Sequence, residues 1–196
     1  MVWSIRKGLF HQVYMRILTA PNVVTLLRLL MIPVFIVTFY WPFEGHRIVT
    51  AGIFLLAAIT DWLDGFLARH LNQVSVFGAF LDPVADKLIV TAALILLVCE
   101  YANPWIALAG VVIVCREILI SALREWMAEL GKKSVIKVNM IGKVKTALQM
   151  VAILILLSQP VGYTPVVVGG LVLMYVAVAL TLWSMVVYMI AAWRVL

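Results

Sequence analysis

Long apolar runs separated by short polar stretches dominate this chain. A helix needs about 20 residues to cross the roughly 30 Å hydrocarbon core of a bilayer. Six runs are of that order: Asn22 to Tyr40, Ile48 to Leu67, Phe77 to Glu100, Trp105 to Leu130, Ile141 to Leu157 and Val166 to Ala192. Three begin just after a proline, Pro21, Pro104 or Pro165, a residue that suits a first helical turn because its missing N–H would have no intrahelical partner there. Pro33, inside the first run, is expected to kink it. The pattern predicts an all-α integral membrane protein whose six transmembrane helices fill residues 21–196. No internal repeat or low-complexity segment is visible.

The segment before Pro21 reads differently. Trp3, Phe10, Val13, Tyr14 and Ile17 alternate with Arg6, Lys7 and Arg16, as in an amphipathic helix lying on the membrane surface. Residues 1–20 are therefore expected to form a juxtamembrane interfacial segment; a frayed tail is the alternative, since Gly8 weakens a helix. Basic residues interrupt the apolar positions and no small-residue cleavage site follows, so it is not expected to be a removed signal peptide.

Composition agrees with the pattern. The 196 residues are 65% hydrophobic and 12% charged, which excludes an ordinary soluble domain. The net charge of +6 is unevenly placed. Arg6, Lys7 and Arg16, then Arg69, the stretch from Arg124 to Lys145, and Arg194 fall on one side of the predicted topology, whereas the opposite loops hold only Arg47. Cytoplasmic loops accumulate Lys and Arg, so both termini are expected in the cytoplasm. Lys132, Lys133 and Lys137 read as contacts to anionic lipid headgroups, and no nucleic-acid partner is expected. Cys99 and Cys115 lack metal-ligand or framework spacing and read as small core residues rather than a disulfide pair.

Against this background the acids stand out. All four aspartates, Asp61, Asp64, Asp82 and Asp86, fall between Thr60 and Lys87. Counted at 1.5 Å per residue, Asp61 and Asp64 lie roughly 6 to 10 Å from the inner edge of the second span, and Asp82 and Asp86 roughly 8 to 14 Å into the third. Both pairs arrive at similar depth in the cytoplasmic half. Spacings of i,i+3 and i,i+4 put each pair on one helical face, with Gly65, Ala68 and Gly78 leaving room for a ligand to approach the backbone. A lone intramembrane acid could simply pair with Arg69 or Lys87. Four together cannot all stay ionised there without cations. All-oxygen ligands suit a hard divalent ion, Mg²⁺ or Mn²⁺, which often shares its coordination with substrate phosphates. The cluster predicts a phosphate-bearing ligand; a cation transporter remains open as the alternative.

The arrangement Asp61-x2-Asp64-Gly65-x2-Ala68-Arg69-x8-Gly78-x3-Asp82-x3-Asp86 resembles the signature of the CDP-alcohol phosphatidyltransferase family, with eight fixed residues in a window of 26. PNVVTLLRLLMIP, FGAFLDPVADK, REILISALREWMAELGK and IGKVKTALQM are similar to the bacterial branch that uses glycerol 3-phosphate as acceptor, and the likeness runs from Pro21 to Ser184. The segment before Pro21 is longer than that branch leads one to expect. The resemblance implies a homodimer in the bacterial cytoplasmic (inner) membrane, with its active site open to the cytoplasm. It implies transfer of the phosphatidyl group from CDP-diacylglycerol, whose tails stay among the membrane lipids, to glycerol 3-phosphate, giving phosphatidylglycerophosphate and CMP. Serine, an inositol phosphate or phosphatidylglycerol are the alternative acceptors.

Carried over residue by residue, the resemblance makes Asp61, Asp64, Asp82 and Asp86 ligands of two divalent ions, with Asp86 also the general base. Gly65, Ala68 and Gly78 would pack against the cytidine, and Arg69 would contact the donor phosphates. Asn22, Thr25 and Arg28, on one helical face, would complete the nucleotide side, or else be a helix start with an arginine snorkelling to the headgroups. A doubly charged acceptor needs a basic pocket, for which Arg116, Arg124, Lys143 and Lys145 are the candidates. Arg116 lies half-way along an apolar span, where an unpaired guanidinium is costly. It is expected either to face a polar cavity, the reading preferred here, or to pair with an acid such as Glu117 of a neighbouring helix.

Overall fold

The computed structural model describes residues 20–71, 76–131 and 140–193. They form six α-helices: α1 (Ala20–Tyr40), α2 (His46–Leu71), α3 (Val76–Tyr101), α4 (Pro104–Glu129), α5 (Met140–Ser158) and α6 (Pro165–Trp193). Each apolar run of the sequence coincides with one helix, the second continuing past Leu67 to Leu71. Pro33 lies inside α1 without ending it. Among the described residues α1, α4 and α6 are long and apolar enough to cross a membrane, and α5 contributes a shorter apolar stretch, Val144–Ser158. The expected interfacial helix, Lys132, Lys133, Lys137 and Arg194 lie outside the described residues.

The chain divides into two compact units, residues 1–92 and 93–196. In the first, α1 and α2 pack side by side in an antiparallel register that can be read from their contacts. Thr38 meets Thr50 at 3.5 Å, the rings of Phe35 and Phe54 lie 6.3 Å apart, and Arg28 reaches Asp61. Position numbers fall along α2 as they rise along α1. The buried stripe of α1 is Asn22, Thr25, Arg28, Phe35 and Phe39, and that of α2 includes Thr50, Ala51, Phe54 and Ala57, at the spacings that keep side chains on one face of a helix. Lipid is as apolar as leucine, so burial gains little in a bilayer; small residues such as Ala51 and Ala57 help because they let backbones approach.

The second unit follows the same logic. Ala102 adopts φ +45 and Asn103 caps α4, accepting a hydrogen bond from the Trp105 N–H at 2.9 Å, with Pro104 opening the helix. One face of α4 is buried at Ile106, Ala109, Gly110, Ile113, Arg116, Ile120 and Met127, and one face of α6 at Val167, Gly170, Met174, Ala177, Thr181, Ser184, Tyr188 and Ala192. These two helices run parallel: Arg116 meets Ser184, and Ile120 and Met127 share a cluster with Tyr188 and Ala192. Gly170 brings α6 close to α5, since a Cβ there would sit 2.9 Å from Ile155 Cγ2. The outer faces stay apolar, with Val172, Trp183, Val186 and Ile190 exposed on α6, as expected of helices bathed in lipid.

The cysteines differ from expectation. Cys99 and Cys115 are free thiols, but both lie on the outer surface of their helices rather than in the core.

Candidate active site

In the first unit the antiparallel register carries Arg28 of α1 to Asp61 of α2. Nη1 donates to Asp61 Oδ1 at 2.7 Å. Arg28 is only 1% exposed, so it does not snorkel to the headgroups; a buried guanidinium needs an anion, and Asp61 supplies it. The Asp61 side chain remains 46% exposed. Its carboxylate is therefore anchored by one oxygen while staying accessible. Asn22 and Thr25 are buried on the same face of α1 as Arg28.

Asp64 follows Asp61 by one turn on α2, and Asp82 and Asp86 are one turn apart on α3. Helical periodicity puts each pair on one face. Asp86 is half-buried and Gly78 is buried. Lys87, one of the two cations that could have neutralised the acids, donates to the Pro83 carbonyl oxygen of its own helix at 3.1 Å. The side chains of Asp64, Gly65, Ala68, Arg69 and Asp82 lie outside the described residues, and among the described residues no three acidic, histidine or cysteine side chains converge. The donor set itself fits a hard divalent ion: carboxylate oxygens alone, one of them on the accessible Asp61 and oriented by a buried arginine, as ligand carboxylates are commonly held.

The second unit buries its own charges. Arg116 is 6% exposed and Lys145 1%, both on the inward stripes of their helices. Arg116 Nη1 and Lys145 Nζ donate to the same atom, Glu117 Oε1, at 2.8 and 2.9 Å. The ion pair at Arg116 thus forms within α4, with the adjacent residue, and not with an acid of a neighbouring helix. Two cations on one carboxylate leave one net positive charge. Arg116 Nη2 also donates to Ser184 Oγ at 3.0 Å, and that hydroxyl donates to the Thr181 carbonyl oxygen at 2.9 Å. Three further buried polar atoms, Arg116 Nε, Gln149 Oε1 and Thr181 Oγ1, have no protein partner among the described residues. Gln149 is one turn from Lys145 on α5, and Thr181 one turn from Ser184 on α6. Unmatched polar atoms are expensive in an apolar interior, so this cluster retains hydrogen-bonding capacity for a polar guest.

Arg124 is exposed, and its guanidinium lies 5.6 Å from the centre of the Tyr188 ring, a cation–π distance. The Lys143 side chain lies outside the described residues. Sequence reasoning gave no role to Ser184, Gln149 or Thr181, and considered Glu117 only as one partner for Arg116. A signal was available: each is a polar residue one or two turns from another on a stripe that is otherwise apolar.

The family model for CDP-alcohol phosphatidyltransferase matches residues 18–183. A protein of Salmonella typhimurium called CDP-diacylglycerol–glycerol-3-phosphate 3-phosphatidyltransferase is 54% identical over 172 residues, covering 88% of this chain and 93% of its own length. Proteins of the same name from Pseudomonas fluorescens and Wigglesworthia glossinidia brevipalpis are 51% and 49% identical, over 88% and 90% of this chain and 89% and 96% of their own. With the family match spanning all four aspartates and the buried cations Arg28, Arg116 and Lys145, the chain belongs to the CDP-alcohol phosphatidyltransferase family.

Proposed function

We propose that this protein transfers the phosphatidyl group of CDP-diacylglycerol to glycerol 3-phosphate, producing phosphatidylglycerophosphate and CMP. One observation carries the reading: the near-full-length match, at about half identity, to transferases whose name states that reaction. The acceptor hydroxyl attacks the phosphorus joined to diacylglycerol, and the bond from that phosphorus to CMP breaks. Asp86 takes the hydroxyl proton as general base. Arg28 acts through Asp61, holding that carboxylate in place. Two divalent ions, Mg²⁺ or Mn²⁺, held by Asp61, Asp64, Asp82 and Asp86, would neutralise the donor pyrophosphate and the charge left on CMP. Asn22, Thr25, Gly65, Ala68, Arg69 and Gly78 accommodate the nucleotide.

Glycerol 3-phosphate reaches the site from the cytoplasm, and its phosphate is bound by the net positive charge at Arg116 and Lys145, with Arg124 and Lys143 as further candidate contacts. All six helices span the cytoplasmic membrane, with both termini on the inner side, and the working unit is a homodimer. The test is CMP release by purified protein given CDP-diacylglycerol, Mg²⁺ and one acceptor at a time: glycerol 3-phosphate, serine, an inositol phosphate or phosphatidylglycerol. Release only with glycerol 3-phosphate, abolished by chelator, is expected. Release with a different acceptor would overturn the acceptor assignment, and cation flux across sealed vesicles without CMP release would overturn the chemistry.

A further inference from the structure

The acid beside Arg116 has no part in the mechanism above, yet both buried cations converge on it. Arg116 and Lys145 come from different helices, and Lys145 lies 28 residues beyond Glu117 in the chain. They meet at a single oxygen, Glu117 Oε1, at 2.8 and 2.9 Å. Two cations held this close in an apolar interior repel each other. Glu117 is what permits the approach. Arg116 is fixed further by Ser184, itself tied to the backbone of α6, whereas among the described residues the flexible Lys145 stem pairs with Glu117 alone. The Glu117 side chain is 32% exposed while both cations are buried, so the acid marks the accessible side of the cluster.

We infer that Glu117 is a positioning residue for the acceptor: its Oε1 clamps Arg116 and Lys145 into a two-cation cradle, with one net positive charge left for the acceptor phosphate. The inference rests on the reading that these two cations bind that phosphate. A neutral amide in the same place is a weaker acceptor and cannot offset either charge. Lys145 would then swing away from Arg116, and the phosphate would lose one of its two donors.

The experiment is steady-state kinetics of the full-length protein with Glu117→Gln, Arg116→Ala and Lys145→Ala, varying each substrate in turn. For Glu117→Gln the acceptor KM is expected to rise about tenfold or more, the size of one charge-assisted hydrogen bond, while the donor KM is unchanged and kcat stays within about threefold. Competitive inhibition by inorganic phosphate is expected to weaken in the same proportion. A merely structural role would instead lower thermal stability and kcat and move both KM values together; that result overturns the inference. So does an acceptor KM that is unchanged or lower in Glu117→Gln while Arg116→Ala and Lys145→Ala raise it. If none of the three variants moves the acceptor KM, the cradle reading itself fails. Should Glu117→Gln not fold, Glu117→Asp, which keeps the charge on a shorter arm, is expected to raise the acceptor KM selectively; equal effects on both substrates would overturn the proposal.

Discussion

Replacing Arg28 by methionine separates orientation from charge at the carboxylate site. Methionine keeps the apolar stem within the α1–α2 contact and removes the guanidinium that donates to Asp61 at 2.7 Å. Breaking a fully buried pair costs about 3–5 kcal/mol. Asp61, however, is 46% exposed, so the share lost at this contact is nearer that of one charge-assisted hydrogen bond, about 1.5–3 kcal/mol. If Asp61 is a metal ligand, losing the group that orients it is expected to weaken divalent-ion affinity about 10- to 100-fold, the usual effect of removing such a partner. Two assays check this: the Mg²⁺ concentration for half-maximal CMP release, and the Mg²⁺-dependent rise in melting temperature without substrate. Arg28→Lys keeps the charge without the planar fork, and an intermediate loss is expected. Electrostatics alone predicts the reverse sign, since removing a positive charge favours a cation. Tighter Mg²⁺ binding in Arg28→Met would therefore refute the orientation argument. So would an unchanged Mg²⁺ requirement with a raised donor KM, which would place Arg28 against the nucleotide instead.

Two further outcomes are expected. Asp86→Asn is expected to lower kcat by at least about 10²-fold, as loss of a general base does, while a CDP-diacylglycerol analogue still binds; wild-type kcat in that variant would remove Asp86 from the mechanism. Gly170→Ala puts a methyl 2.9 Å from Ile155 Cγ2 and 3.1 Å from Leu156 Cδ2, and is expected to cost about 1–3 kcal/mol by overpacking; an unchanged melting temperature in detergent would show that α5 and α6 can part without penalty.

The helices were legible because a span of lipid-compatible length leaves a long apolar run, and each of the six runs met its helix. The aspartates were legible because acids at helical spacing stand out in such a chain. What escaped required knowing which helices are neighbours. The spacing of Asn22, Thr25 and Arg28 marked one face of α1, but only the antiparallel register with α2 places Asp61 opposite Arg28. Glu117 was read as a possible partner from another helix, whereas it bonds Arg116 within α4 and also takes Lys145. Cys99 and Cys115 were assigned to the core because, in a membrane, outward faces are as apolar as inward ones; the contrast that separates inside from outside in a water-soluble helix is missing.

The Glu117 contact also has a bearing on how the chain enters the bilayer. Lys145 stands near the start of α5 and of its short apolar stretch, Val144–Ser158, so it costs an inserting helix less than the roughly 3 kcal/mol of a lysine at the centre, but it remains a cost unless it is paired. Arg116 and Glu117 are consecutive, so α4 emerges from the ribosome with its cation and its counter-ion together. On the proposed six-span topology, Lys145 of the following α5 would find that carboxylate already in place. If α5 spans the membrane as proposed, the order of these two helices along the chain is also an assembly sequence: α5 would insert as a dependant of α4, and a permuted chain that made α5 first is expected to present the lysine to the membrane with nothing there to receive it.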